Sequence, residues 1–303
     1  MKEKIKKNIE IKLKFLQKNN FFKNNIIWFA VCNSSYLEFS YYCIYSWLLN
    51  KTKNSKFILF FFEDSQTINK KFFKKLINIS NNVEVISIDV QKYLNTNKVK
   101  VTKEKFLENP SSFYANIRAY ILNLLFDKSS NLIYIDCDSI FTNKLEDIQG
   151  FFRLNSANFF CLDTKNTTMR YKSGLLAISM NRISKKNKKV LSSAINKYSD
   201  SVMKSINEWG SDQIYLYELV DSIENLYFPL PLKYFNWYCL LETTIYTAKG
   251  RSKLSIIYLI MMKIIDFIAI FGINNFSKDI WNILIKLLFK IYSLRKFLKF
   301  LKF

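Results

Sequence analysis

Hydrophobic residues in the first part of the chain form short continuous runs separated by polar stretches. The runs Ile26–Val31, Lys56–Phe62 and Val83–Ile88 are typical of strands covered on both faces, because such strands carry few polar residues. Residues 36–49 and 66–76, which follow the first two runs, have the composition and spacing of helices. This alternation of strand and helix predicts a parallel, doubly wound sheet with helices on both faces.

The same kinds of pattern continue through the middle of the chain. A helix is predicted over 111–126, and the runs Leu132–Ile135, Phe159–Asp163 and Gly174–Met180 predict further strands. Residues 181–208 are basic and are predicted to be helical. The α/β pattern therefore extends well beyond the first three strands.

Positive charge concentrates at the two ends of the chain. Residues 1–25 carry a net charge of +6 and residues 249–303 carry +9, out of +22 for the whole chain. An apolar stripe at helical spacing runs through the first segment, at Ile5, Ile9, Leu13 and Leu16. We divide the chain into a basic amphipathic arm (1–25), which lies on an anionic surface or packs on the domain, an α/β domain (26–250) and C-terminal membrane-associating helices (251–303).

The C-terminal segment combines apolar length with charge. Residues 255–273 approach the length of a transmembrane helix, but Lys263 and Asp266 lie in the middle, where charge is costly in lipid. Residues 281–303 carry an apolar stripe opposite their lysines, at Trp281, Leu284, Ile285 and Leu288. We expect basic amphipathic helices that hold the protein peripherally on the inner, cytoplasmic face of the cell membrane. The alternative is a soluble helical pair packed on the domain.

Composition excludes several classes of site. The chain has no histidine, which excludes histidine-dependent catalytic triads and zinc sites of the H-E-x-x-H type. Its five cysteines are scattered, and none form a C-x-x-C pair. This argues against a disulfide framework and fits a reducing, cytoplasmic compartment.

Two carboxylates follow the predicted strand Leu132–Ile135, at Asp136 and Asp138. Carboxylates at the end of a buried strand are costly to desolvate without a partner, and Mg²⁺ or Mn²⁺ is a natural one. In an open α/β sheet, ligands bind at the carboxyl ends of the strands. The pattern favours a metal-diphosphate site, although a solvated turn or a helix cap is the alternative.

Several further segments occur with this pair in a fixed order. Phe29-Ala30 precedes a polar loop with Tyr36, Arg118 lies eighteen residues before Asp136, and Asp212-Gln213 comes later. The segment Tyr171–Ser179 contains a single glycine. Over roughly 26–238, the chain resembles family 8 of the retaining glycosyltransferases, which includes bacterial lipopolysaccharide galactosyl- and glucosyltransferases.

The resemblance implies a GT-A-type fold, a nucleotide-binding doubly wound mixed sheet with helices on both faces. It implies that the nucleotide-sugar is bound by Ala30, Asn33, Tyr36, Arg118, Asp136, Ser173 and Gly174. It further implies that Asp136 and Asp138 hold Mn²⁺ or Mg²⁺, and that Asp212 and Gln213 lie near the reacting sugar carbon. For three of these residues a structural alternative stays open: Tyr36 in the core, Arg118 in a surface ion pair and Asp212 as a helix cap.

The sequence departs from the family at three points. The acidic residue that reads the nucleobase is replaced by Cys32, Asn33 or Ser34, and a sugar-pocket asparagine is replaced near Lys172-Ser173. The late histidine that is a third metal ligand is absent. Either Asn236 or another oxygen ligand replaces it, or the metal is held by two carboxylates, phosphates and water.

The expected activity is transfer of a hexose, with retention and metal assistance, from a nucleotide-sugar to an acceptor hydroxyl. Uridine diphosphate is the expected carrier, and a lipooligosaccharide or other surface glycan is the expected acceptor. The expected partners are this donor, a glycan or glycolipid acceptor and an anionic membrane surface, without nucleic acid. Two alternatives stay open: a membrane-associated protein with a degenerate transferase domain, and a basic nucleic-acid-binding protein.

Overall fold

The computed structural model describes residues 2–23, 25–63, 70–90, 110–129, 131–165, 170–206, 208–236, 243–247 and 255–300. The helices are α1 (Lys2–Lys18), α2 (Leu37–Asn50), α3 (Lys70–Ile77), α4 (Pro110–Leu125), α5 (Glu146–Leu154), α6 (Lys185–Lys204), α7 (Ser211–Ser222), α8 (Ile256–Ala269) and α9 (Asn275–Phe300). The strands are β1 (Ile26–Asn33), β2 (Ser55–Glu63), β3 (Val83–Asp89), β4 (Asn131–Ile135), β5 (Ser139–Phe141), β6 (Phe159–Asp163), β7 (Tyr171–Ser179), β8 (Tyr227–Pro229), β9 (Phe235–Asn236) and β10 (Ile245–Thr247). Short 3-10 helices occur at Ser34–Tyr36 and Glu224–Leu226. The predicted helix over 66–76 begins outside the described residues.

A seven-stranded sheet with the order β3-β2-β1-β4-β7-β6-β8 forms the centre of the described fold. Strands β3, β2, β1 and β4 are parallel, as the strand-helix alternation predicts. Strand β7 runs antiparallel to β4 and to β6. Because β6 and β7 are consecutive and their connection is short, they pair antiparallel, whereas parallel neighbours need a long crossover.

Helices cover both faces of this sheet. Helices α2, α5, α8 and α9 share one buried cluster with strand residues such as Trp28 and Phe57. Helices α1, α4, α6 and α7 share the other cluster with residues such as Phe29 and Phe60. Successive strand residues point to opposite faces, which explains why neighbours in β1 belong to different clusters. The predicted doubly wound mixed α/β sheet with helices on both faces is therefore confirmed.

Helix α1 packs its apolar stripe against the sheet. Four side chains at helical spacing are buried there, at Ile5, Ile9, Leu13 and Leu16. The structure therefore supports the alternative in which the N-terminal arm packs on the α/β domain. Its outer face carries lysines together with the exposed side chains of Ile11 and Phe15.

Helices α8 and α9 are integrated into the core beside α2. Helix α9 buries Trp281, Ile285 and Phe289, so the prediction that Trp281 and Ile285 face a membrane is wrong. These residues recur every fourth position and lie on the face toward α2 and α8. Other apolar residues of α8, of α9 and of the turn between them are exposed instead, among them Phe267, Ile270, Phe271, Phe276, Ile283, Leu287 and Ile291.

Two polar contacts accompany this packing. The Tyr42 hydroxyl of α2 donates to both carboxylate oxygens of Asp266 at 3.1 Å, and Lys263 lies 4.0 Å from the same carboxylate. The mid-segment charges therefore have partners at the protein surface. Among the described helices, none has the length and apolar character needed to cross a membrane.

A small three-stranded sheet follows directly after Asp138. Strand β5 pairs antiparallel with β10, and β10 pairs parallel with β9. In this register Thr247 lies opposite Ser139, and Tyr246 pairs with both Ile140 and Asn236. The fold thus brings two late segments of the chain to the end of β4.

Candidate active site

A cavity of about 570 Å³ opens at the carboxyl ends of β1 and β4. The two strands are neighbours in the sheet, and the sheet continues to β2 beyond one and to β7 beyond the other. The strand order therefore reverses between β1 and β4, which is where doubly wound folds bind ligands. Seven of the predicted site residues line the cavity: Asn33, Tyr36, Arg118, Asp136, Asp138, Asp212 and Gln213.

Three predicted site residues lie outside the cavity lining. Ala30 is buried within β1, directly before Val31, which is the first residue of the strand to line the cavity. Ser173 and Gly174 lie in β7, where they contact the side chains of Arg118 and Asp136. We infer that Ser173 and Gly174 support the lining residues, while Ala30 belongs to the core.

The Asp136 carboxylate is fixed from two sides. Its Oδ1 accepts hydrogen bonds from Arg118 Nη1 at 2.9 Å and from the Tyr134 hydroxyl at 2.7 Å. Its main-chain N–H donates to the Gly174 carbonyl at 2.9 Å. Residue 174 has no room for a side chain, because a Cβ atom there would lie only 3.0 Å from the Phe235 ring. The glycine thus lets β7 and β9 close around the end of β4.

Arg118 joins the two ends of the candidate site. Besides Asp136, its guanidinium donates to Ser173 Oγ at 2.7 Å and to the carboxylate of Asp212. Its side chain is buried, which excludes the alternative of a surface ion pair. Burial disfavours the charge, but Asp212, Tyr134 and Asp136 outweigh it and raise the pKa of Arg118 well above its usual value. One permanent cation therefore holds two carboxylates, leaving a net negative charge.

Asp212 lies in the first turn of α7, after Gly210 at φ +80. Gly210 is the N-cap residue, and the Asp212 carboxylate accepts instead from Arg118 and Ser173. The alternative that Asp212 caps the helix is therefore not supported. Its neighbour Gln213 has a buried Oε1 atom without a hydrogen-bond partner in the described part of the chain. A buried acceptor that lacks a partner is costly, so a donor from a ligand would stabilise it.

Asp138 is held by the small sheet and by helix α8. Its Oδ1 accepts from Thr247 Oγ1 at 3.2 Å, and its carbonyl accepts from the Tyr258 hydroxyl at 3.0 Å. Asn236 is buried in β9, within the same small sheet. The donor set is two carboxylates on one cavity, which fits Mg²⁺ or Mn²⁺ if a ligand supplies further oxygens. Within the described residues, no cluster of three acidic or cysteine side chains is arranged to hold a metal.

The cavity also contains residues that the sequence analysis missed. Tyr134 lies two positions before Asp136, on the same face of the extended chain, and its ring lies 5.1 Å from the Arg118 guanidinium. The two-residue period of a strand places Tyr134 on the same face as Asp136, so the sequence pattern could have identified Tyr134 as a site residue. Tyr114 and Trp209 also line the cavity, but no sequence pattern distinguishes them from other aromatic residues.

The comparisons with known proteins add the following findings. No protein-family model and no curated protein matches the sequence. Similar solved structures include the bifunctional glycosyltransferase WbbM (TM-score 0.49, 12% identity, 76% of this chain and 46% of that chain). They also include mouse xyloside xylosyltransferase 1 (TM-score 0.45, 12% identity, 75% and 99%). A third is the galactosyltransferase LgtC in complex with donor and acceptor sugar analogs (TM-score 0.47, 10% identity, 74% and 87%). The chain thus spans about half the length of the first of these.

Proposed function

We propose that the protein is a glycosyltransferase that moves a sugar from a nucleotide-sugar to an acceptor hydroxyl. The observation that carries the proposal is a single cavity at the reversal of strand order, lined by Asp136, Asp138, Arg118 and Asp212. Strand ends at such a reversal suit a nucleotide. A fixed guanidinium and a divalent cation held by two carboxylates suit the leaving diphosphate, and a further carboxylate suits the sugar.

Each residue has a proposed role that follows from its position. Asn33, the last residue of β1, and Tyr36, in the 3-10 helix that follows, contact the nucleoside. Asp136 and Asp138 hold Mn²⁺ or Mg²⁺, which when bound neutralises charge on the diphosphate. Arg118 contributes a second positive charge without a proton to lose. Asp212, held by Arg118 and Ser173, orients the donor sugar or stabilises positive charge at its reacting carbon.

The finer features of the reaction rest on the ordered motifs of the sequence. These are retention at the reacting carbon, a hexose carried on uridine diphosphate, and a lipooligosaccharide or other glycan as acceptor. They extend the proposal and can fail separately from it. The position of Asn236 in the sheet beside Asp138 is compatible with a further oxygen ligand for the metal.

We propose further that α8 and α9 hold the protein peripherally on an anionic, cytoplasmic membrane surface. Their outer faces expose Phe267, Ile283 and Leu287, and Lys286 and Lys290 are exposed on the same helical pair. Apolar area with nearby lysines is the composition of an interfacial helix. A lipid-linked acceptor would be concentrated at this surface.

One observation favours a second candidate, a transferase-like domain without catalysis. Arg118 forms ion pairs with both Asp136 and Asp212 within the chain itself. Such a buried ion network can persist for structural reasons alone.

The deciding experiment incubates the full chain with Mn²⁺ and a panel of nucleotide-sugars without acceptor and measures nucleotide release. Release that requires both metal and Asp138 supports the transferase. Absence of release, together with no shift in melting temperature by any nucleotide, supports the non-catalytic domain.

A further inference from the structure

Trp209 is a large aromatic residue left exposed at the edge of the candidate site. The residue is 65% exposed, yet it lines the same cavity as Gly210, Asp212 and Gln213. Tryptophan is usually well buried, because its large apolar surface favours removal from water. An exposed indole beside the candidate reaction centre is available to a ligand that enters the cavity.

The turn that carries Trp209 is fixed to the body of the domain. Asn116 of α4 is buried, and its side-chain amide donates to the carbonyls of Ile206 at 2.8 Å and Glu208 at 3.0 Å. Ser211 Oγ donates to the carbonyls of Glu208 at 2.7 Å and Ser205 at 3.0 Å. The residues on both sides of Trp209, Glu208 and Ser211, are thus held in place by hydrogen bonds. A preordered contact surface binds a ligand with a smaller loss of entropy.

The sheet order assigns Trp209 to one end of the cavity. The 3-10 helix Ser34–Tyr36 contacts β1 and β2, whereas α7 packs against β7 on the other side of β4. Asp136 and Asp138 follow β4, between these two ends. A nucleoside at Asn33 and Tyr36, with its diphosphate at β4, therefore directs its sugar toward Asp212 and Trp209.

We propose that Trp209 is a stacking platform for the acceptor, and that the acceptor is a saccharide that lies with one ring face on the indole. This inference rests on the proposed transferase function and adds a residue that recognises the acceptor. One face of a pyranose presents C–H groups to an aromatic ring, while its edge carries hydroxyls. Gln213 lines the same cavity, and its side-chain amide has a donor and an acceptor that suit such a hydroxyl.

The transfer step replaces one bond at the anomeric carbon of the donor sugar with another. The acceptor oxygen forms a bond to the anomeric carbon as the bond from that carbon to the diphosphate oxygen breaks. The electron pair of the broken bond stays on the diphosphate, and the acceptor's proton leaves to the diphosphate or to water. Trp209 takes no part in bond making and acts as a specificity-determining residue.

The test compares Trp209→Ala, Trp209→Phe and Phe15→Ala in the full chain. Phe15 is a matched control, because it is 63% exposed but lies on α1, outside the residues that line the cavity. With the nucleotide-sugar that the wild type hydrolyses best, transfer is measured to methyl glycosides of hexoses and to glycerol, which has hydroxyls but no ring. Hydrolysis without acceptor is measured in parallel.

We expect Trp209→Ala to lower kcat/KM for the methyl glycosides by about tenfold or more, as for an aromatic anchor at an interface. Trp209→Phe should retain most of the transfer to glycosides. Hydrolysis and transfer to glycerol should stay unchanged in both Trp209 variants, and Phe15→Ala should behave as the wild type in all assays. If Trp209→Ala transfers to the glycosides as well as the wild type does, this inference is wrong but the proposed function stands. The same holds if the wild type hydrolyses the donor but uses none of the glycosides. A parallel loss of hydrolysis and nucleotide affinity makes Trp209 a donor contact and also overturns it. A wild type without hydrolysis or transfer overturns the proposed function itself.

Discussion

A Cβ atom at Gly174 would lie 2.9 Å from Oδ2 of Asp136, closer than real Cβ contacts. We therefore predict that Gly174→Ala displaces the carboxylate, lowers turnover by about tenfold or more and destabilises the fold by about 1–3 kcal/mol. Urea denaturation and nucleotide-release assays measure the two effects. Gly150→Ala in α5 is the matched control, because no atom lies within 4 Å of its new Cβ and alanine favours a helix. Equal behaviour of the two variants would contradict this account.

Asp138→Asn should abolish metal-dependent turnover while the fold persists. The asparagine Oδ1 can still accept the hydrogen bond that Thr247 donates to Asp138, so the local structure keeps its support. The loss of one negative ligand should lower turnover by about 100-fold or more. Turnover at saturating Mn²⁺ and the melting temperature are the measurements. Near-normal turnover of the variant would contradict the assignment of Asp138 as a metal ligand.

Asp212→Asn should separate sugar chemistry from nucleotide binding. We expect turnover to fall by about 100-fold or more, whereas nucleotide affinity changes little, because the proposed role of Asp212 is at the sugar and not at the phosphates. Stability should fall by about 1–3 kcal/mol, less than for an unpaired buried charge, since Arg118 keeps Asp136 as a partner. Asp221→Asn, on the exposed face of the same helix, is the control. Lost nucleotide affinity with normal turnover would assign Asp212 a structural role.

Stability should decline in alkaline solution. Burial raises the pKa of Cys43 and of Cys161 above the usual thiol value of 9.0. These thiols stay protonated in the folded protein while the unfolded chain loses the protons, so their contribution is complete below pH 9 and is lost as the pH rises. Each adds a slope of about 1.4 kcal/mol per pH unit above that point. Urea unfolding between pH 8 and 10.5 should show a shallower decline for Cys43→Ala, and an unchanged slope would contradict the assignment.

Binding to anionic vesicles should depend on the outer face of α9. We predict that the double variant Ile283→Asp and Leu287→Asp weakens partition by about tenfold or more, because it removes apolar area and adds repulsion. Ile11→Asp is the control, since Ile11 is exposed to a similar extent on α1. Vesicle sedimentation at low and high salt measures the effect. If the control variant weakens binding as much as the double variant, α9 does not mediate docking.

The sequence could predict the strands because their apolar runs are nearly unbroken, and it could predict that Asp136 and Asp138 follow a buried strand. It could not predict that Arg118 and Asp212, 94 residues apart, share an ion pair, since no local pattern records that contact. Fold topology, through the pairing of β4 with β7, brings Ser173 and Gly174 beside them.

The sequence could not predict which face of α9 is buried, and the reason is a different one. Trp281, Ile285 and Phe289 form one apolar stripe, while Ile283, Leu287 and Ile291 form another on the same helix. Hydrophobic periodicity identifies both stripes but does not say which one meets the protein. The structure buries the first, because α2 and α8 provide a matching surface.

The hydrogen bond from the Tyr258 hydroxyl to the Asp138 carbonyl also restricts how this protein can be re-engineered. The C-terminal helices are not an interchangeable tag, because one of their side chains completes the loop that carries a candidate metal ligand. A chimaera that exchanged them for other helices would need to supply the same hydroxyl and refill the positions of Trp281 and Ile285. The proposed docking surface and the geometry of the candidate site therefore depend on the same pair of helices.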